Sequence, residues 1–114
     1  MTDIDPELIR VIRLLSKNKD RELCGFLLGT DKYRVIFPVE NISGKPQTEF
    51  YMDPQGILAA HKLAENLGLK VMGIYHTHIY GSPEPSSKDL NGMQLWPLPW
   101  LIVSKKSYKL VYPR

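Results

Sequence analysis

The stretch Leu69-Lys70-Val71-Met72-Gly73-Ile74-Tyr75-His76-Thr77-His78 reads as a mostly apolar, buried strand that ends in two histidines. Side chains alternate along a strand, so His76 and His78 point to the same side. The chain continues Ile79-Tyr80-Gly81-Ser82-Pro83-Glu84-Pro85-Ser86-Ser87-Lys88-Asp89, a Gly-, Ser- and Pro-rich loop that closes on a carboxylate. Two imidazoles and one carboxylate are ligand types that zinc accepts. Three protein ligands leave a fourth position for water, the layout of a catalytic site. The reading is one zinc per chain, held by His76, His78 and Asp89, and a hydrolase built around it.

Such chemistry needs a base for the proton of the attacking water, even where a metal lowers the pKa of that water to about 7. Glu22 is the candidate. It heads Glu22-Leu23-Cys24-Gly25-Phe26-Leu27-Leu28-Gly29, an otherwise apolar run. An unpaired carboxylate is costly to bury for packing alone, and it makes sense if it faces a metal-bound water.

Each residue also has a plainer reading. Ser86-Ser87-Lys88-Asp89 matches a helix capping box, with Ser86 as N-cap and Asp89 at the third helical position. Taken alone, that reading wins for Asp89; the two roles are also compatible, because a helix start can hold a carboxylate fixed. Glu22 has Lys19 and Arg21 nearby as partners for a surface ion pair of little energetic value. With two histidines in view, the general base is the better assignment. Cys24 shares the face of Glu22 and reads as a small buried side chain; as a fourth ligand it would close the site to water. His61 reads as a solvent-facing helical bystander. Trp96-Pro97-Leu98-Pro99-Trp100 reads as the cap of a core edge, with a partner-binding patch as the rarer alternative.

Working outward, Asp5-Pro6 opens a helix, with Asp as N-cap and Pro at the first helical position. Leu8, Val11, Ile12 and Leu15 form its apolar face, and it fades near Asn18. Glu22 to Leu28 is a strand, Gly29-Thr30-Asp31 a turn, and Tyr33 to Val39 the returning strand. A polar loop over Asn41 to Gln47 and a short extended piece over Glu49 to Met52 follow. Asp53-Pro54 opens a second helix with Ile57, Ala60, Ala64 and Leu67 on its core face and Gly68 as terminator. Val71 to His78 is the central strand. A short helix spans about Ser87 to Gln94, and Trp100 to Ser104 with Tyr108 to Tyr112 make a final hairpin. The order implies an α/β, α+β-type fold: one mixed sheet flanked by helices. Glu22 begins its strand whereas His76 and His78 end theirs, so the two strands should be antiparallel and close together. A parallel neighbour would put Glu22 roughly 20 Å away, at about 3.3 Å per residue.

At 114 residues the chain, taken as one domain over 1–114, can bury its own core. Its 43% hydrophobic and 24% charged content is ordinary for a globular protein. A net charge of +3, with Lys and Arg scattered, does not argue for nucleic acid. The apolar runs fall well short of the ~20 residues that cross a membrane. Met1-Thr2-Asp3-Ile4-Asp5 is acidic and lacks the basic start and apolar core of a signal peptide. One cysteine forms no internal disulfide, which fits the cytoplasm.

Together these residues resemble the JAMM (MPN-type) zinc metalloprotease family, whose pattern is an upstream Glu, then His-x-His, seven residues, Ser, two residues, Asp. Here Glu22 precedes Cys24-Gly25-Phe26-Leu27-Leu28-Gly29, His76-x-His78 is followed by seven residues, then Ser86, two residues and Asp89. The resemblance extends through the Asn41 loop, Phe50 to Pro54 and the Trp100 strand. Ile79 departs from it, where many members carry proline, but removes no ligand. The resemblance implies a cytidine-deaminase-like fold without the deaminase His-x-Glu and Pro-Cys-x-x-Cys signature. It gives Ser86 the task of donating a hydrogen bond to the tetrahedral oxyanion. It implies a peptidase or isopeptidase acting after the C-terminal tail of ubiquitin-like or sulfur-carrier proteins, of the compact prokaryotic kind. An extended tail adding a strand beside the site, near Gly44 to Tyr51 or Ile79 to Pro85, fits a common recognition mode. The rivals are a metal-free scaffold of the same fold and a peptidase on cell-wall or phage-tail components. Oligomeric state is not legible, and a homodimer is compatible with the sequence.

Overall fold

The computed structural model describes residues 4–113; the leader reading of Met1 to Asp3 lies outside the described residues. Eight elements follow one another: α1 (Pro6–Ser16), β1 (Cys24–Gly29), β2 (Tyr33–Val39), α2 (Pro54–Leu67), β3 (Lys70–Thr77), α3 (Ser87–Leu95), β4 (Trp100–Val103) and β5 (Tyr108–Val111). The strands form one sheet in the order β2-β1-β3-β4-β5. Only β3 and β4 run parallel, and α3 supplies the crossover that a parallel pair requires. β1 and β3 are antiparallel neighbours with Cys24 opposite His76, which is the arrangement that the positions of Glu22 and the histidines demand.

Strand alternation divides the core between the two faces of the sheet. Cys24, Phe26, Leu28, Ile74 and Trp100 pack toward Ala60 and Ala64 of α2 and Met93 of α3. Leu27, Tyr75, Leu101 and Val103 face the other way, onto Ile9 and Ile12 of α1. The sheet is thus a middle layer. The helix ends are set by local chemistry: Asp5 and Asp53 each accept a backbone N–H two residues on and precede a Pro, and Gly68 ends α2 at φ 68°, a left-handed conformation that suits glycine. At Gly92 a Cβ would lie 2.6 Å from the Trp100 ring, so only glycine lets that indole pack beneath α3.

Several sequence expectations shift. Ile9, with Ile12, anchors α1, while Val11 and Leu15 are 36% and 40% exposed. The buried face is therefore rotated toward Ile9, which with Ile12 packs against Leu27, Tyr75, Leu101 and Val103. Leu67 is 56% exposed and lies off the buried face of α2, which Ala60 and Ala64 make. The first strand begins at Cys24, which leaves Glu22 just before it, and β3 ends at Thr77 rather than His78. Trp100 is buried and Trp96 half-buried, with the Trp100 indole N–H donating to the Trp96 carbonyl at 3.1 Å, so this cluster does close a core edge.

Candidate metal centre and active site

The site lies where β3 ends and β1 begins. Thr77 ties these ends together: its N–H donates to the Leu23 carbonyl at 2.9 Å, and its hydroxyl oxygen accepts from the Leu23 N–H at 2.8 Å. Extending the Cys24 to His76 register by two residues brings Glu22 opposite His78. The backbone of Glu22 is itself clamped. Its N–H donates to the Pro46 carbonyl, and its carbonyl accepts from the Asn41 side chain at 2.9 Å.

Asn41 was not singled out by sequence reasoning beyond its place in a loop. Its amide nitrogen donates to the carbonyls of Glu22 and Glu49, and its amide oxygen accepts from the N–H groups of Ser43 and Tyr51. A buried side chain making four such bonds fixes the 41–52 segment against the entry to β1. The only local signal was an Asn followed two residues on by Ser, the pattern of an Asx turn.

The histidines and Asp89 converge. His76 Nε2 and His78 Nε2 are 3.1 Å apart. Asp89 Oδ1 lies 3.1 Å from His76 Nε2, and Asp89 Oδ2 lies 3.0 Å from His78 Nε2. Asp89 reaches them from the first turn of α3, where the capping box also forms. Ser86 Oγ accepts from the Asp89 N–H at 3.1 Å, and Asp89 Oδ2 accepts from the Ser86 N–H at 2.9 Å. The capping and ligand geometries thus coexist in one carboxylate. Donor atoms of Glu22, His76 and His78 all lie within 4.8 Å of one another. Glu22 and Asp89 are each 5% exposed.

Electrostatics follow from this crowding. Burial pushes the Glu22 carboxyl up to about 7, countered by His78 and reinforced by Asp89 and Glu49. Burial also acts to raise Asp89, but hydrogen bonds from His76 and His78 and the Ser86 N–H outweigh it and hold Asp89 well below the usual carboxylate range. His76, wholly buried, is lowered by desolvation. His78 is raised, first by its hydrogen bond to Asp89, with a further bond to the Ser82 carbonyl. His78 Nδ1 faces that carbonyl at 2.9 Å, so Nδ1 carries a proton that it donates. A neutral His78 therefore turns an Nε2 lone pair toward Asp89, and only a proton or a cation reconciles the two.

The donor set fits zinc. Neutral imidazole nitrogens and a carboxylate are its ordinary ligands, and atoms bound tetrahedrally at zinc distances sit about 3.3 Å apart, close to the spacing here. The outer contacts are uneven: His78 has the Ser82 carbonyl, whereas buried His76 Nδ1 has no hydrogen-bond partner among the described residues. The His76 ring is instead packed by Phe50, with ring centres 4.7 Å apart, and by the edge contact with Trp100 at 5.6 Å. Cys24 faces the core; its thiol donates to the Val39 carbonyl at 3.4 Å, and burial pushes its pKa up to about 12. It stands outside the close donor group. His61 is exposed on α2, its Nδ1 bonded to the Ile57 carbonyl and its ring in edge contact with Phe26 at 5.5 Å, and it is not part of the close donor group.

An open cleft of about 300 Å³ leads to the centre, lined by Glu22, His78 and Ser86 and walled by Gln47, Thr48, Tyr80, Ser82 and Glu84. Ser86 is exposed, and its hydroxyl oxygen is used as a cap acceptor, which leaves the hydroxyl proton free for a group in the cleft.

Comparison with known proteins agrees with this geometry. The chain is 42% identical over 105 residues to a desampylase of Pyrococcus furiosus, covering 90% of this chain and 74% of that one. It is 31% identical over 88 residues to a probable TtuB-protein conjugate cleaving protease of Thermus thermophilus, covering 77% of this chain and 59% of the relative. A solution structure of a protein from Desulfitobacterium hafniense superposes with a TM-score of 0.73 at 25% identity, over 96% of this chain and 80% of that one. Residues 6–111 match the domain described as prokaryotic homologs of the JAB domain. The chain belongs to that family, the prokaryotic JAB-domain proteins.

Proposed function

We propose that this protein is a zinc metallopeptidase that hydrolyses isopeptide or peptide bonds following the C-terminal tail of ubiquitin-like or sulfur-carrier proteins. The observation that carries this reading is the convergence of His76 Nε2, His78 Nε2 and the Asp89 carboxylate at 3.0–3.1 Å, with Glu22 beside them. The relatedness to a desampylase and to a protease of TtuB–protein conjugates supports the substrate class.

His76, His78 and Asp89 would hold the metal. When bound, zinc supplies a Lewis acid that polarises the scissile carbonyl and makes water acidic enough to ionise near neutral pH. Glu22, buried beside the centre, takes the proton of the attacking water and returns it to the departing amine. Ser86 donates a hydrogen bond through its hydroxyl to the developing oxyanion, a contribution of typically several kcal/mol when preorganised. Asp89 does double service, because the capping box that starts α3 also fixes its carboxylate. The Ser82 carbonyl orients His78 by accepting from Nδ1.

The extended tail runs through the cleft between Gln47-Thr48 and the Tyr80 to Glu84 loop. No helix among the described residues is long and apolar enough to cross a membrane, and a single buried thiol suits a reducing compartment, so the cytoplasm is the proposed location. The test is cleavage of ubiquitin-like fusions by zinc-loaded protein. Turnover abolished by chelation and restored by zinc is expected; turnover unaffected by full metal removal would refute the mechanism.

A further inference from the structure

A second cavity, about 390 Å³, opens on the α1 side of the sheet at the same end as the metal centre. Thr77, His78 and Ile79 form its inner wall, so His78 borders both this cavity and the active-site cleft. Its rim is strongly basic. Arg13, Lys17, Lys19, Arg21 and Lys105 all line it, and no Asp or Glu does. These cations come from the end of α1, the connection to β1 and the turn after β4, and the fold gathers them. None of the five forms an ion pair among the described residues. Arg13 gives one guanidinium N–H to the Ser104 carbonyl and Arg21 one to the Asn41 carbonyl, leaving most of their donors free.

Like charges placed around one concave surface repel one another and cost stability, and they focus a positive potential into the cleft. That arrangement suits a negatively charged ligand. The ligand must lie beside the scissile bond, since the cavity wall is the segment that carries His78. Every conjugate that such an enzyme cleaves shares the modifier, whereas the modified protein varies. A permanent basic surface at this place matches a recurring half of the substrate that is acidic there.

We propose that this cavity is a docking site for a carboxylate-rich segment of the ubiquitin-like substrate, seated against Arg13, Lys17, Lys19, Arg21 and Lys105 while its tail occupies the catalytic cleft. The proposal rests on the peptidase reading and adds the charge of the substrate. The site contributes encounter rate and orientation, so it acts on KM rather than on the chemical step.

The test uses the full zinc-loaded chain and the triple variant Lys17→Glu/Lys19→Glu/Lys105→Glu, all three residues being exposed. Three substrates are compared: a ubiquitin-like fusion with an acidic surface segment, the same fusion with that segment changed to Asn and Gln, and an uncharged tail peptide. The expected result is a KM on the acidic fusion raised roughly tenfold or more in the variant, with kcat within about twofold and the tail peptide unaffected. The neutralised fusion should show the high KM with both proteins. An unchanged KM on the acidic fusion would overturn the proposal. Binding of a fluorescein-labelled glutamate decapeptide and of a single-stranded oligonucleotide to Glu22→Gln is measured in parallel. Peptide binding lost on triple reversal supports the docking site even if no fusion is cleaved, in which case the peptidase reading alone fails. Oligonucleotide bound and peptide not bound would replace the acidic segment with nucleic acid.

Discussion

Ser86 and Asp89 exchange two hydrogen bonds across the first turn of α3, and the same Asp89 oxygen that accepts from the Ser86 N–H lies 3.0 Å from His78 Nε2. Helix capping and metal coordination therefore share one atom. Ser86→Ala should lose about 1 kcal/mol of stability as a missing cap and, separately, about 10²-fold in kcat as a missing oxyanion donor. Thermal melts and steady-state kinetics of Ser86→Ala and Ser86→Gly separate the two losses. A drop in stability with kcat intact would reduce Ser86 to a cap.

Glu22 is stabilising for chemistry and costly for the fold. In the metal-free protein its carboxyl is raised from 4.5 to about 7 by burial. The folded state then holds its proton through a window in which the unfolded chain has released it. Stability consequently falls as pH rises from about 4.5 to about 7, and the cost stays in place above that. Metal-free Glu22→Gln should therefore be more stable than the parent at pH 8, by about 1–3 kcal/mol, and equal to it near pH 4. Denaturant melts at the two pH values check this. Greater stability of the parent at pH 8 would mean that Glu22 serves the fold.

His78 takes its extra proton on Nε2, facing Asp89, while Nδ1–H donates to the Ser82 carbonyl; both contacts raise its pKa. Zinc must displace that proton, so zinc affinity should fall steadily as pH drops below the range in which His78 is neutral. Calorimetry in buffers of different ionisation heat, at a pH low enough for His78 to be protonated in the metal-free protein, should detect proton release on zinc binding. Binding with no proton released at that pH would exclude His78 Nε2 as a ligand.

Asn41 acts through Glu22. Asn41→Ala removes two donors to the Glu22 and Glu49 carbonyls and two acceptor contacts. Leaving those buried groups unpaired should cost about 1–3 kcal/mol and lower kcat more than KM, while zinc content stays at the parental level. A variant that loses zinc would instead make Asn41 part of the metal scaffold.

The convergence of His76, His78 and Asp89 and the antiparallel pairing of β1 with β3 were legible because they depend on local alternation and on which end of each strand carries the polar groups. His76, His78 and Glu22 announce themselves as costly residues in apolar surroundings. The role of Asn41 was hidden because its partners lie up to 19 residues away and are all backbone groups, two carbonyls and two N–H groups, which no side-chain pattern encodes. The burial of Ile9 in place of Val11 depends on how α1 is rotated over the sheet, a tertiary choice among several apolar positions on one helix. The basic cavity was illegible for the same reason: Lys105 joins Arg13 and Lys17 only once β4 lies beside β3.

The central claim is that His76, His78 and Asp89 hold one zinc beside Glu22. Its most direct test is the metal content of untagged protein by elemental mass spectrometry, beside Glu22→Gln and His78→Ala. The account predicts about one zinc per chain in the parent, the same in Glu22→Gln with turnover gone, and none in His78→Ala. A parent that takes up no zinc on titration, or a His78→Ala protein with full zinc content, would contradict it.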